Sequence, residues 1–135
     1  MDRAYLLYCR IAAVVFFINT VYPVTTKLLQ ERLAEDWLHS VLHLCSALFG
    51  VYAGWYASNI TPAKAFTWFI GLLYLVLGVY GWFTPGFLLV TPFALPIGVA
   101  DNVFHLLVSV PAVVIMILDV RTSLKATRAP RRSLR

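Results

Sequence analysis

Residues 102–118 read NVFHLLVSVPAVVIMIL, an uncharged and almost wholly apolar run that closes on Asp119. A helix rises about 1.5 Å per residue, so roughly 20 such residues cross a hydrocarbon core of about 30 Å. Three further stretches carry no charge: Ile11 to Thr26, Trp37 to Ala63, and Ala65 to Ala100. The last is too long for one span and is broken by Pro85, Gly86, Pro92, Pro96 and Gly98, where a helix cannot run on unbroken. Pro111 sits inside the run quoted first. A membrane bundle tolerates such a kink, because neighbouring groups satisfy the freed carbonyl.

The composition agrees. Of 135 residues, 61% are hydrophobic and only 13% charged, with a mean hydropathy of +0.80. A soluble domain carries about a quarter of its residues as charges. Too little polar surface is present to face water on all sides, which excludes a soluble globular enzyme, a disordered chain and a collagen-like repeat. The expectation is an all-α integral membrane four-helix bundle. Its helices are placed at about 4–22, 36–58, 62–83 and 98–121 within a domain spanning 1–122, followed by a basic tail, 123–135. Pro23 ends or kinks the first helix. Thr61-Pro62 opens the third, with the threonine hydroxyl as cap and proline at the first helical position. Arg3 and Arg10 precede an apolar run, yet no small-x-small cleavage site follows it, so the first helix is expected to stay attached.

Orientation follows from the basic residues. Arg121, Lys125, Arg128, Arg131, Arg132 and Arg135 follow the last helix. The first connection mixes Lys27 and Arg32 with Glu31, Glu35 and Asp36, and the third holds no charge. The positive-inside rule then puts both termini in the cytoplasm of a cell membrane, read here as a bacterial inner membrane. The tail should touch anionic lipid headgroups. Nucleic acid is not needed to explain the charge. The third connection, apolar and proline-broken, is expected to lie over the outer end of the bundle as an interfacial or re-entrant segment, a surface for a protein partner or lipid.

The second and fourth helices echo one another. His39-Ser40-Val41-Leu42-His43-Leu44 overlays Asp101-Asn102-Val103-Phe104-His105-Leu106, with the valine, second histidine and last leucine matched. Two helix hairpins duplicated in parallel would explain this. The Asp101-Asn102-x-x-His105 opening also resembles a family of small four-helix bacterial membrane proteins, domain of unknown function 4383. The resemblance runs from the second helix through the fourth and includes the glycines Gly71, Gly78 and Gly81. The chain departs from that pattern at Ser40, where asparagine is expected three residues before the histidine. The resemblance implies a four-helix fold and a membrane location, and no reaction.

All three histidines fall near the outer ends of helices. His39 and His43 are four apart and share a face, as do Asp101 and His105. If these faces meet, four polar groups form two layers, with Asn102 beside them and Asn19 at similar depth. Ionisable groups at membrane depth are costly and turn inward. Three readings stay open. His39, His43, Asp101 and His105 suit a first-row metal; His43 and His105 could ligate a haem from two helices; a proton relay is the third. Against these stands polar glue between helices, Asp101 bonding His39 and Asn102 bonding backbone. At the cytoplasmic end, Arg10 is expected to pair with Asp119 or to snorkel.

Gly50 and Gly54 make a Gly-x-x-x-Gly step, read as packing inside one chain ahead of a homo-oligomer contact. Tyr5, Tyr8, Trp37, Trp55, Tyr56, Trp82 and Phe83 fall near helix ends, where amphipathic rings favour the interface. Cys9 and Cys45 differ in depth and should not pair. For function, the leading expectation is an accessory or scaffold protein of the membrane rather than an enzyme. A metal- or haem-binding protein comes second and a small transporter third.

Overall fold

Four helices follow the chain: α1 (Asp2–Leu29), α2 (Trp37–Val51), α3 (Thr61–Tyr80) and α4 (Val99–Arg128). The computed structural model describes residues 1–29, 37–84, 86–87 and 96–128. The acidic part of the first connection, most of the third and the last seven residues of the tail therefore lie outside the described residues. So does the expected start of the second helix at Asp36. A two-residue antiparallel ladder joins β1 (Gly86–Phe87) to β2 (Pro96–Ile97), pairing Gly86 with Ile97 and Phe87 with Pro96. Gly86 takes φ 105°, a left-handed value that suits the residue without a Cβ.

Among the described residues, three helices are long and apolar enough to cross a membrane: Asp2–Thr25, Thr61–Tyr80 and Val99–Thr127. The fourth, α2, is a shorter α-helix of 15 residues, extended by five more in a π-helical turn, Tyr52–Tyr56. The packing is that of two hairpins. α1 lies chiefly against α2, and α3 chiefly against α4. The chain is an all-α integral membrane bundle. Lipid-facing side chains such as Leu7, Phe17, Leu48, Val76 and Leu107 stay exposed, while the core holds Phe16, Phe66, Ile70 and Ala112.

Several boundaries differ from those read off the residues. α1 does not stop at Pro23: the ring removes one backbone bond, and with no glycine nearby the helix continues to Leu29. α4 runs past 121 to Arg128, so the first part of the basic tail is helical. Thr122 and Thr127 donate to the carbonyls of Asp119 and Ser123 along it, and Pro130 is the next breaker in the sequence. At the start of α3 the cap is not the Thr61 hydroxyl. The Asn59 side chain accepts from the Thr61 amide at 3.0 Å, while Pro62 stands in the first turn as expected.

Glycine sets the distance between helices. A Cβ at Gly50 would lie 3.0 Å from the Ala13 Cβ, 3.0 Å from Phe66 and 3.1 Å from the Cys9 carbonyl oxygen. At Gly71 it would meet Met116 and Ala112 of α4 at 3.0 and 3.1 Å. The small-residue strips thus serve contacts within the chain. Close backbone approach is what a membrane bundle uses in place of a hydrophobic driving force. Tyr5 and Tyr8, expected at the interface, are core residues instead: Tyr5 is fully buried, and the Tyr8 hydroxyl donates to the Val108 carbonyl at 2.8 Å, tying α1 to α4. Trp37, Trp55, Tyr56, Trp82 and Phe83 are exposed. Cys9 is buried and Cys45 exposed, and they are not paired.

Gly50→Leu is expected to cost about 1–3 kcal/mol through overpacking against backbone that cannot move aside. Unfolding in mixed detergent should show the loss as a lower midpoint. Leu48→Ala, on the exposed face two residues away, should leave the midpoint almost unchanged.

Candidate functional site

The ends of α1 and α3 and the starts of α2 and α4 come together at one end of the bundle. There the helical spacing works as read: His39 and His43 share one face of α2, their rings edge to face with centroids 4.4 Å apart. The second turn of α4 brings His105 to them, 5.9 Å from His39 and 6.4 Å from His43. One ligand atom from each of the three imidazoles lies within 4.8 Å of the others. All three rings are buried, His43 and His105 to within 4% and 3% residual exposure. The two histidines matched in the echo between α2 and α4 therefore meet.

Not every polar residue joins. Asp101 does not converge with the histidines. It is only partly buried, and its Oδ2 accepts the Gly98 amide at 3.1 Å, which makes it a cap for its own helix. Asn19 turns back on α1, its amide donating to the Val15 carbonyl at 3.4 Å. Asn102 is 2% exposed, and its Oδ1 has no hydrogen-bond partner among the described residues. Neither ring nitrogen of His105 has one either. A buried polar atom left so costs about 1–3 kcal/mol.

Three aromatic rings enclose the histidines. Phe16 of α1 lies 5.5 Å from His43 and 5.0 Å from Tyr74. Tyr74 of α3 lies 5.1 Å from His105, and its hydroxyl shares a 3.3 Å hydrogen bond with Ser46. Phe104 lies 5.2 Å from His43 and edge-on to Phe16 at 5.7 Å. Gly78 makes room on the remaining side, where a Cβ would stand 3.1 Å from the His105 Cβ and 3.0 Å from Leu106. The rings were not picked out from the sequence. Ser46 could have been, since it follows His43 by three and so shares its face.

The opposite end holds the charges. Asp119 does not pair with Arg10. Its Oδ2 takes Lys64 Nζ at 3.1 Å and the Tyr5 hydroxyl at 3.0 Å, and Lys64 Nζ lies 5.3 Å from the centre of the Tyr5 ring. Three helices, α1, α3 and α4, meet at that carboxylate. Arg10 instead donates Nε to the Gly54 carbonyl at 2.8 Å and places its guanidinium 5.4 Å over the Trp55 ring. It caps the C-terminal end of α2, where carbonyls lack amide partners and a cation is favoured. Lys64, the partner of Asp119, stands in the first turn of α3. Comparing depth would have found it: the start of α3 and the end of α4 lie at the same level.

A family model described as a domain of unknown function, DUF4383, matches residues 33–118. The chain belongs to this family. The match takes in α2, α3 and most of α4, and so all three histidines of this DUF4383 member. No curated protein and no solved structure is significantly similar to it.

Two substitution experiments test this geometry. Exchanging charges across the pair seen, Lys64→Asp with Asp119→Lys, should recover most of the stability that either single change removes. The same exchange across Arg10 and Asp119 should recover none. At the other end, His43→Cys with His105→Cys, in a background lacking Cys9 and Cys45, should form a disulfide in membranes under mild oxidation. His43→Cys with Asp101→Cys should not.

Proposed function

We propose that this membrane protein binds a first-row transition-metal ion through His39, His43 and His105. The observation carrying the proposal is the convergence itself: three buried imidazoles from two helices, ligand atoms within 4.8 Å, with both nitrogens of His105 lacking a hydrogen-bond partner among the described residues. A metal–imidazole bond is about 2.0–2.1 Å, which sets nitrogens about 3.3 Å apart around a tetrahedral ion. Small side-chain rotations would close the present spacing onto an ion.

The competing expectations fare less well on particular contacts. Of the polar-glue contacts, a bond from Asp101 to His39 is replaced by the Asp101 cap on α4. A haem between His43 and His105 requires a slot for the macrocycle, and Phe16, Tyr74 and Phe104 occupy the surroundings at ring-contact distance. A conduit for transport would have to pass Phe16, which is fully buried and in contact with rings from the other three helices. An accessory or scaffold role in a larger assembly is compatible with a bound metal.

The same reading places the ends. Arg10, Lys64, Arg121 and Lys125 mark one end of the bundle, which the positive-inside rule assigns to the cytoplasm. The histidine site then lies near the outer face of the membrane, and both termini lie inside. Lys125 and the remaining tail residues are suited to contact anionic headgroups.

Purified protein in mild detergent, incubated with Co²⁺ and desalted, should retain about one equivalent and show the visible absorption of a tetrahedral or five-coordinate ion. His105→Ala should lose it, and Asp101→Ala should keep it. A metal needs the unprotonated imidazole, so occupancy should fall on acidification. Metal-free wild type with an empty titration would overturn the proposal.

A further inference from the structure

The second nitrogen of His105 needs a partner that an ion cannot supply. This inference rests on the metal-binding reading above and deepens it by naming a residue that holds one of the ligands in place. A neutral imidazole carries one N–H, and a metal takes the other nitrogen. A ring bound to an ion therefore still has a donor to satisfy. That donor almost always goes to a carboxylate, a carbonyl or water, and the bond fixes both the tautomer and the angle of the ring. Neither nitrogen of His105 is bonded among the described residues, so an ion would account for one and leave the other.

An acceptor stands one turn away. Asn102, His105, Ser109, Ala112 and Met116 are each at most 5% exposed and are spaced three, four, three and four along α4, so they form one buried stripe. Glycines of α3 meet that stripe: a Cβ at Gly71 would touch Met116 and Ala112, and one at Gly78 would touch His105. Asn102 is the member nearest the histidine end, about 4.5 Å along the axis from His105 at 1.5 Å per residue. Side chains three apart on a helix are neighbours, and a helical side chain leans back toward the N-terminus, which carries the His105 ring toward Asn102. Asn102 Oδ1 can only accept, and it has no partner among the described residues. Asp101, four residues before His105, is placed less well. It is only partly buried, and its Oδ2 already accepts the Gly98 amide.

We propose that Asn102 is the positioning residue of the metal site. Its Oδ1 accepts the Nδ1–H of His105, the ring nitrogen nearer the backbone, and leaves Nε2 to the ion. Asn102 does not touch the ion itself. The bond is not made as the side chains stand; it forms as the imidazoles close on the metal.

The test uses the full chain in mild detergent. Asn102→Ala should weaken Co²⁺ binding about 10-fold or more. The metal-free variant should unfold at the same temperature as wild type or a higher one, because a buried acceptor without a partner has been removed. Asn102→Asp, which keeps an oxygen in the same place, should bind Co²⁺ at least as tightly as wild type. Nuclear magnetic resonance of ¹⁵N-histidine wild type loaded with Zn²⁺ needs no variant, and should find the His105 proton on Nδ1 and the ion on Nε2. Unchanged Co²⁺ affinity in a folded Asn102→Ala protein, or Zn²⁺ on Nδ1 of His105, would overturn this role while leaving metal binding intact. So would affinity and metal-free stability falling together, as for a purely structural side chain, or an Asn102→Ala spectrum showing a ligand lost from Co²⁺. Wild type that binds neither Co²⁺ nor Zn²⁺ would overturn both readings.

Discussion

A polar group inside hydrocarbon has no water to turn to, and the arrangement of this bundle follows from where each such group finds its partner. At the charged end the partners are within reach. Asp119 draws Lys64 and Tyr5 onto one oxygen, and Arg10 closes the open carbonyl of Gly54. These are bonds between helices, each worth only about 1 kcal/mol, but they fix register. The Tyr8 bond to Val108 does the same one layer further in. At the histidine end the described residues leave His105 and Asn102 with polar atoms unmatched. The same constraint that makes one end a lock makes the other end a candidate for an ion.

The packing between the two ends explains how the histidines come to be so close. Gly71 and Gly78 let α3 and α4 approach one another tightly, Gly78 directly beside His105. Phe16 then fills the space beneath, in contact with His43, Tyr74 and Phe104. The histidine cluster is therefore supported by residues from all four helices, although its imidazoles come from two. A site held in this way is pre-organised, since its rotamers are limited by packing rather than by a ligand.

Charge patterning and helical spacing carried most of the architecture. Uncharged runs placed the helices, and four-residue spacing placed His39 over His43 correctly. The failures share one cause: they concern what a residue touches across helices, which spacing within one helix does not contain. Asp101 had the right spacing from His105, yet its carboxylate was nearer to its own helix amide. Arg10 and Asp119 were expected to pair, yet Asp119 takes Lys64 and Tyr5 while Arg10 turns to Gly54 and Trp55. Tyr5 and Tyr8 had the depth of interfacial residues and the orientation of core ones. The boundaries missed at Pro23 and near residue 121 have a simpler origin. Proline and basic residues change a helix's cost without fixing its end.

The π-helical turn at Tyr52–Tyr56 has a consequence for the length of α2. A π-turn holds one more residue than an α-turn over the same rise, so the chain beyond it is out of phase with the helix before it. The extra residue puts Gly54, rather than a bulkier neighbour, against the side chain of Arg10. Removing a single residue here would let the helix relax to regular α geometry and rotate everything after it by about 100°. A form of this chain shortened by one residue here would take the Gly54 carbonyl out of its present position against Arg10. The turn is thus a phase shift written into the helix, with the arginine as the element that depends on it.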